Sequence, residues 1–166
     1  MANTSFLSCT NISQTTGSGE ISWNLDTSPT STNSYCSPSV PLTSFNGKQT
    51  GQLNYRNFFN NDTIGNSVTI DGIEVKIESN KANRIIDSVI QLTKDGSLIG
   101  ENKADQNSTV SHTYGGSADK WGTNLTYNDL ITGTGVGVAI KYKSDTVPHK
   151  DICKVWNAKI RIYYTP

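Results

Sequence analysis

The sequence carries little charge and no long hydrophobic run. Lysine plus arginine number 14, as do aspartate plus glutamate, so the formal net charge is +0. Binding to nucleic acid requires a basic surface that contacts phosphates, and we therefore expect no nucleic-acid partner. No apolar stretch approaches the roughly 18 residues of a transmembrane helix, and no positive charge precedes an apolar segment at the N-terminus. We expect neither a membrane span nor a signal peptide.

Cysteine is scarce and odd in number. The three residues Cys9, Cys36 and Cys153 are too far apart in sequence for the short paired spacings of a zinc site. A chain made and kept in a reducing compartment has free thiols. The alternative is a disulfide that forms after release from the cell, and Cys9 with Cys36 is then the favoured pair because both lie in the irregular N-terminal part. The sequence leaves both states open.

Residues that catalysis often uses are also sparse. The two histidines, His112 and His149, lie in no paired-histidine, Gly-x-Ser-x-Gly or Cys/His motif. The aspartates are dispersed, without the closely spaced acidic pattern of a calcium loop. We expect no catalytic residue, no cofactor and no bound metal, and hence a protein that is not an enzyme.

Serine, threonine and asparagine, which favour turns and exposed strand positions, make up about a third of the 166 residues. We interpret residues 1–18 as an irregular N-terminal arm, either frayed or ordered only against a neighbouring subunit. Residues 19–166 then form a single β domain, whose first strand spans 20–25 with Ile21, Trp23 and Leu25 buried. A long Ser/Thr/Pro loop at about 26–51 follows, interrupted by Pro29, Pro38 and Pro41.

From residue 52 onward the hydrophobic pattern has a period of two. It predicts strands at 73–78, at 86–93 with Ile86, Ile90 and Leu92 on one face, and at 136–142. A turn at 94–97 predicts a hairpin into a short strand at 98–99. The last strand places five residues on one side, namely Trp156, Ala158, Ile160, Ile162 and Tyr164. These elements predict an all-β fold, an antiparallel sandwich with at most one helical turn after Thr126, which Asp129 helps to cap.

The most particular segment is 114–122, which reads Y-G-G-S-A-D-K-W-G. Paired glycines permit positive φ and close chain approach, so Trp121 has two interpretations. Its ring either closes the end of the core, which we favour, or stands exposed with Tyr114 and Tyr127 as an aromatic platform for a sugar ring.

This loop, taken with other segments, resembles a family of small jelly-roll proteins common in tailed bacteriophage genomes. The similarity covers about residues 19–164. It is carried by G-E-I-S-W at 19–23, I-D-G-I-E-V-K-I at 70–77, the hairpin from Asp87 to Leu92 with Gly96, Gly100 and Asn102, the loop at 114–122, and I-R-I-Y-Y at 160–164. The long loop before Phe45 and the three cysteines depart from the family's pattern.

The resemblance implies a non-enzymatic virion protein with an eight-stranded jelly-roll β-sandwich, made in the host cytoplasm. Our first hypothesis is a homotrimeric cement or decoration protein on the outer surface of the capsid, which bridges the major capsid protein and copies of itself. The alternative is a carbohydrate-binding component of a tail or fibre, in which Tyr114, Trp121 and Tyr127 stack on host-surface glycans.

Overall fold

The computed structural model describes residues 1–26, 34–40, 42–43, 48–59, 64–82, 84–105, 110–144, 150–151 and 153–166. Within these residues the chain forms fourteen strands and one short helix. They are β1 (Ala2–Asn3), β2 (Leu7–Ser8), β3 (Asn11–Thr15), β4 (Trp23–Asn24), β5 (Ser37–Pro38), β6 (Leu42–Thr43), β7 (Gln52–Arg56), β8 (Thr69–Lys81), β9 (Ile85–Lys94), β10 (Ser97–Ile99), β11 (Val110–Gly115), α1 (Tyr127–Ile131), β12 (Val136–Ser144), β13 (Lys150–Asp151) and β14 (Cys153–Thr165).

Most strands belong to two antiparallel five-stranded sheets, which confirms the all-β prediction. The first sheet has the order β1-β14-β8-β11, with β2 also paired to β14, and the second has the order β10-β9-β12-β7-β3. Short two-stranded sheets join β4 to β5 and β6 to β13.

Alternating apolar residues of both sheets meet in one hydrophobic core. Ile73, Val75 and Ile77 on β8 are at most 1% exposed, while the charged residues between them are half-buried. Val138 and Ile140 on β12 of the second sheet belong to the same buried cluster. Side chains along the strand therefore alternate between the core and the solvent-exposed face, as expected for a sheet with one face in water.

The prediction of an irregular N-terminal arm is wrong for these residues. β1 and β2 both pair with β14, whereas β3 pairs with β7, so the first fifteen residues add strands to both sheets. Thr4 is buried, its N–H donates to the Ile162 carbonyl at 3.0 Å, and its Oγ1 accepts the Ile162 N–H at 3.1 Å. Backbone hydrogen bonds hold this segment in place, and because they do not require apolar side chains, mostly polar residues can form these strands.

Several predicted elements are confirmed. The predicted strands at 73–78, 86–93 and 136–142 lie inside β8, β9 and β12, and the predicted hairpin joins β9 to β10. Thr126 caps α1, since its side chain accepts the Asp129 N–H while the Asp129 carboxylate accepts the Thr126 N–H. Asp71 and Gly72 continue the strand, so β8 begins at Thr69.

The long loop at about 26–51 is only partly regular. Pro38 ends the two-residue strand β5, and β6 is equally short, so no long strand runs through the described part of this segment. Pro29 and Pro41 lie outside the described residues.

The predicted inward-facing sets of β9 and β14 are confirmed in part, but Ile86 and Trp156 are not buried because both strands carry register shifts. On β9, Ile90 and Leu92 are buried as predicted, but Ile86 is half-buried and lies between the buried Ile85 and Asp87. The β9 to β12 pairing shifts register beside this point. On β14, Ala158, Ile160 and Ile162 are buried as predicted, but Trp156 is not, and the pairing shifts between Val155 and Asn157. An extra residue in one strand moves the side chains on one side of it to the opposite face.

Candidate functional site

The loop between β11 and α1 places Trp121 at the end of the core. Trp121 is 0% exposed, and its indole Nε1 donates to the Ile73 carbonyl at 2.9 Å. Its backbone has φ of 55°, and its N–H donates to Asp119 Oδ1 at 2.8 Å. The side chain is thus a lid on the core, which is the favoured one of the two interpretations from sequence.

The predicted aromatic platform does not exist as an exposed surface. Tyr114 is 6% exposed and Tyr127 is 8% exposed, so both rings pack in the core cluster with Trp121. The Tyr114 hydroxyl donates to Asp87 Oδ2 at 2.6 Å. A sugar ring needs an open aromatic face, and the prediction that Tyr114, Trp121 and Tyr127 stack on glycans is therefore wrong.

Glycines permit this corner to close around Trp121. Gly115 has φ of 76°, and a Cβ at this position would lie 2.2 Å from the Ile73 carbonyl oxygen and 2.5 Å from Trp121 Nε1. A Cβ on Gly72 would lie 2.3 Å from the Gly116 carbonyl oxygen, and one on Gly100 would lie 2.1 Å from the Trp121 carbonyl oxygen. Each of these positions excludes a side chain because another backbone segment passes too close.

A cleft of about 220 Å³ lies beside the corner. Its lining contains both apolar and polar residues, namely Val68, Thr69, Ile70, Ile73, Lys120, Thr123, Asn124, Leu125 and Thr126. The Thr123 hydroxyl already donates a hydrogen bond to the Lys120 carbonyl, and the Thr126 hydroxyl donates one to the Asp129 carboxylate. The cleft is smaller than the roughly 300–1,000 Å³ typical of small-molecule sites.

A buried ionic group links the two sheets. The Lys81 ammonium contacts the Asp87 carboxylate, with side chains 1% and 0% exposed, and it lies 4.8 Å from the centroid of the Tyr142 ring. Asp87 also accepts the Tyr114 hydroxyl, so its two oxygens have separate partners. Paired charges with satisfied hydrogen bonds are the form in which ions are tolerated in a core.

The cysteines are three buried free thiols in this structure, so it shows the first of the two states that the sequence left open and not the alternative Cys9–Cys36 disulfide. Burial raises the pKa of Cys9 to about 12 and that of Cys153 to about 12, and it also raises the pKa of Cys36. Disulfide formation proceeds through a thiolate, and desolvation keeps these sulfurs protonated. The buried Tyr55 is coupled electrostatically to both Cys9 and Cys36, and its pKa is raised by burial.

Of the two histidines, only His112 lies among the residues that the structure describes. His112 on β11 is partly exposed, lies 4.0 Å from Asp105 Oδ2, and packs its ring against Tyr114. His149 lies outside the described residues. In the described ranges of the chain, no three His, Cys, Asp or Glu side chains are placed to hold a metal ion. No helix in the same ranges is both long and apolar enough to cross a membrane.

Sequence reasoning missed a second aromatic group, on the outer face of the first sheet. Trp156 on β14 is half-buried, outside the core cluster, and its ring centroid lies 6.3 Å from that of Tyr35. Alternation along β14 placed Trp156 inward with Ala158, whereas Val155 takes that place. Tyr35 lies in the Ser/Thr/Pro loop, where no periodic pattern identifies it.

Comparisons with known protein families, with curated proteins and with solved structures found no match to this chain.

Proposed function

We propose that this chain is a non-enzymatic structural protein of a tailed-bacteriophage virion, and specifically a homotrimeric cement protein on the outer surface of the capsid. The observation that carries the proposal is the corner at which the shared motifs meet. Gly72 of the motif at 70–77 packs against the backbone of Gly116 and Ser117 in the loop motif, and Gly115 of that loop packs against Ile73 and Trp121. Such contacts require particular residues at fixed spacing. They therefore support the interpretation that the resemblance to the phage family reflects a common packing arrangement and not only a similar β-rich composition.

The jelly-roll topology is part of this proposal. Its support is the division of the strands between two antiparallel sheets and the pairing of the first strand β1 with the last strand β14. Jelly rolls likewise divide eight strands between two sheets.

A cement protein acts by many contacts multiplied over a symmetric shell, each of them weak alone. A net charge of +0 suits close packing of identical copies, because they repel one another little. In the described part of the chain, β10 is the last strand of the second sheet, and its Leu98 is 44% exposed. An edge strand with an exposed leucine offers backbone groups and apolar surface to a neighbouring copy or to the major capsid protein.

Immunogold electron microscopy of virions from the source, with antibody against the recombinant chain, tests the location. We expect label spread evenly over icosahedral heads. Label confined to tails would overturn the capsid assignment in favour of a tail component, and unlabelled particles would overturn the virion assignment itself. Light scattering of the purified chain should give the mass of three 18.0 kDa subunits, and a monomer at all concentrations would contradict the trimer.

A further inference from the structure

The three tryptophans differ in how their indole N–H groups are satisfied. Trp23 and Trp121 are at most 3% exposed, and each donates its Nε1 hydrogen to a backbone carbonyl, that of Gly51 at 2.8 Å and that of Ile73 at 2.9 Å. Trp156 is half-buried, and its indole N–H has no hydrogen-bond partner among the described residues. A core tryptophan finds a partner, whereas a donor that faces water remains available to a ligand.

A β-bulge turns Trp156 to the outer face. Val155 pairs with Ser79 and Asn157 pairs with Glu78, so Trp156 is the extra residue between them. Val155 is 0% exposed and takes the inward position. Bulges that re-aim a side chain are common next to binding sites.

Tyr35 is held directly beside Trp156 by backbone pairing. Cys36 and Val155 exchange both of their backbone hydrogen bonds, at 2.8 and 2.9 Å, so the residues before and after them lie opposite each other. The two rings meet edge to face, with an interplanar angle of 67°, and Tyr35 is 38% exposed. The ammonium of Lys154 lies 4.2 Å from the Tyr35 ring centroid and fixes that ring further.

Polar groups of both kinds border the two rings. Lys154 supplies a donor, and the exposed Asn80, which pairs with Lys154 across the sheet, supplies an amide. Glu78 supplies an acceptor and is itself neutralised by ion pairs with Lys76 and Lys159. Lys76 and Lys159 are both held by Glu78, and the Lys154 ammonium lies over the Tyr35 ring, so a phosphate or an acidic peptide would have to compete with partners that these three lysines already have.

We propose that Tyr35, Trp156 and Lys154 form a carbohydrate-binding platform for a neutral pyranose ring. The apolar C–H face of the sugar lies on the exposed aromatic surface, and its hydroxyls bond to the Trp156 N–H, to Lys154 and to Asn80. Two rings are far smaller than the roughly 800 Å² that a protein partner buries on each side, which favours a small ligand. The inference does not rest on the proposed place in the virion.

The test begins with an array of oligosaccharides of glucose, galactose, mannose and N-acetylglucosamine, probed with the labelled intact chain. We expect retention on at least one glycan, and titration of that glycan should change the tryptophan fluorescence. Trp156→Ala should weaken the affinity at least about tenfold, because a stacked ring and a donor are both lost. Lys120→Ala, on the cleft beside the Trp121 corner, is the matched control and should bind as the unmodified chain does.

Two further variants separate a lost contact from a lost fold. Tyr35→Ala removes a side chain outside the core cluster, so it should weaken binding while the melting temperature stays nearly unchanged. Trp156→Phe keeps a ring and removes the donor, and its affinity should fall between those of Trp156→Ala and the unmodified chain. The proposal would be overturned if no glycan were retained at millimolar concentration. It would also be overturned if Tyr35→Ala and Trp156→Ala left the affinity for a retained glycan unchanged.

Discussion

Gly115 determines whether Trp121 can lie over the core. Its φ of 76° suits glycine, and a Cβ would come within 2.5 Å of the Trp121 indole nitrogen. We expect Gly115→Ala to lower the free energy of unfolding by at least about 2 kcal/mol, because left-handed strain adds to displacement of a core side chain. Urea denaturation followed by fluorescence measures this change.

The neighbouring Gly116→Ala is the control for that prediction. A Cβ on Gly116 meets nothing within 4 Å, and its φ is not in the left-handed region. Its effect should stay within about 0.5 kcal/mol, as for surface substitutions in general. Equal losses for the two variants would show that Trp121 is not held by close approach at Gly115.

The thiols give a second prediction at the scale of single residues. Cys9, Cys36 and Cys153 are each at most 1% exposed, and burial raises their pKa values. Iodoacetamide at about pH 8 should leave the native chain unmodified and should alkylate three cysteines once urea unfolds it. Intact mass spectrometry counts the adducts. One adduct on the unfolded, unreduced chain would instead indicate a disulfide.

The short helix α1 depends on Asp129. The hydrogen bond from Lys94, followed by those from Thr126, lowers the pKa of this carboxyl from 3.8 to about 2. A depressed pKa contributes stability that is complete above the ordinary value and is lost as the pH falls through the folded value. The melting temperature of Asp129→Asn should lie below that of the unmodified chain at about pH 5, and the difference should shrink as the pH falls toward 2 and vanish below it.

Lys94→Met provides the check on this cause. It removes the largest contribution to the shift, so the pKa of Asp129 should return toward its ordinary range and the pH dependence between about 4 and 2 should shrink. If the difference between Asp129→Asn and the unmodified chain stays constant down to pH 2, the shifted carboxyl does not account for it.

The N-terminal strands form the next element to test. β1 and β2 pair with β14 and cover its edge. Met1, which precedes β1, is 74% exposed. Removal of residues 1–8 should lower the free energy of unfolding by several kcal/mol, since it deletes the pairing with Ile162 and uncovers the strand edge. Removal of Met1 alone should have no measurable effect. Equal stability of the two truncated chains would mean that the arm does not belong to the sheets.

How far the sequence predicts an element depends on whether its signal is local. Alternation identified β8 and β12, and capping chemistry identified α1, because each pattern lies within a few neighbouring residues. The short, mostly polar strands β1 to β3 gave no such signal, since their pairing with β14 and β7 is set by distant partners. The bulge at Trp156 was equally hidden, because an extra residue changes the facing of side chains without changing the composition.

The candidate sites follow the same division. The neighbouring glycines in the sequence allowed the prediction that Trp121 closes the end of the core. The buried position of Tyr114, by contrast, involves a hydrogen bond to Asp87 from another sheet, which no local pattern indicates. Tyr35 and Trp156 meet only through the bridge between Cys36 and Val155, which joins segments over a hundred residues apart. No local sequence pattern in either segment predicts pairing between residues so far apart.

At the scale of the whole molecule, Lys81 and Asp87 tie the two sheets together. Lys81 ends β8 in the first sheet, Asp87 lies on β9 in the second, and Tyr114 on β11 bonds to the same carboxylate. Asp87→Leu leaves a buried ammonium without its partner and should cost about 3–5 kcal/mol of unfolding free energy. Lys81→Met leaves the carboxylate and should be costly for the same reason.

The combined variant distinguishes a coupled pair from two independent core positions. With Lys81→Met and Asp87→Leu together, no unpaired charge remains, and the double variant should be more stable than the sum of the single losses by about 1–3 kcal/mol. Urea denaturation of all four chains completes this cycle. Strictly additive losses would show that the two sheets are held by the apolar core alone, and that the ion pair contributes nothing to their attachment.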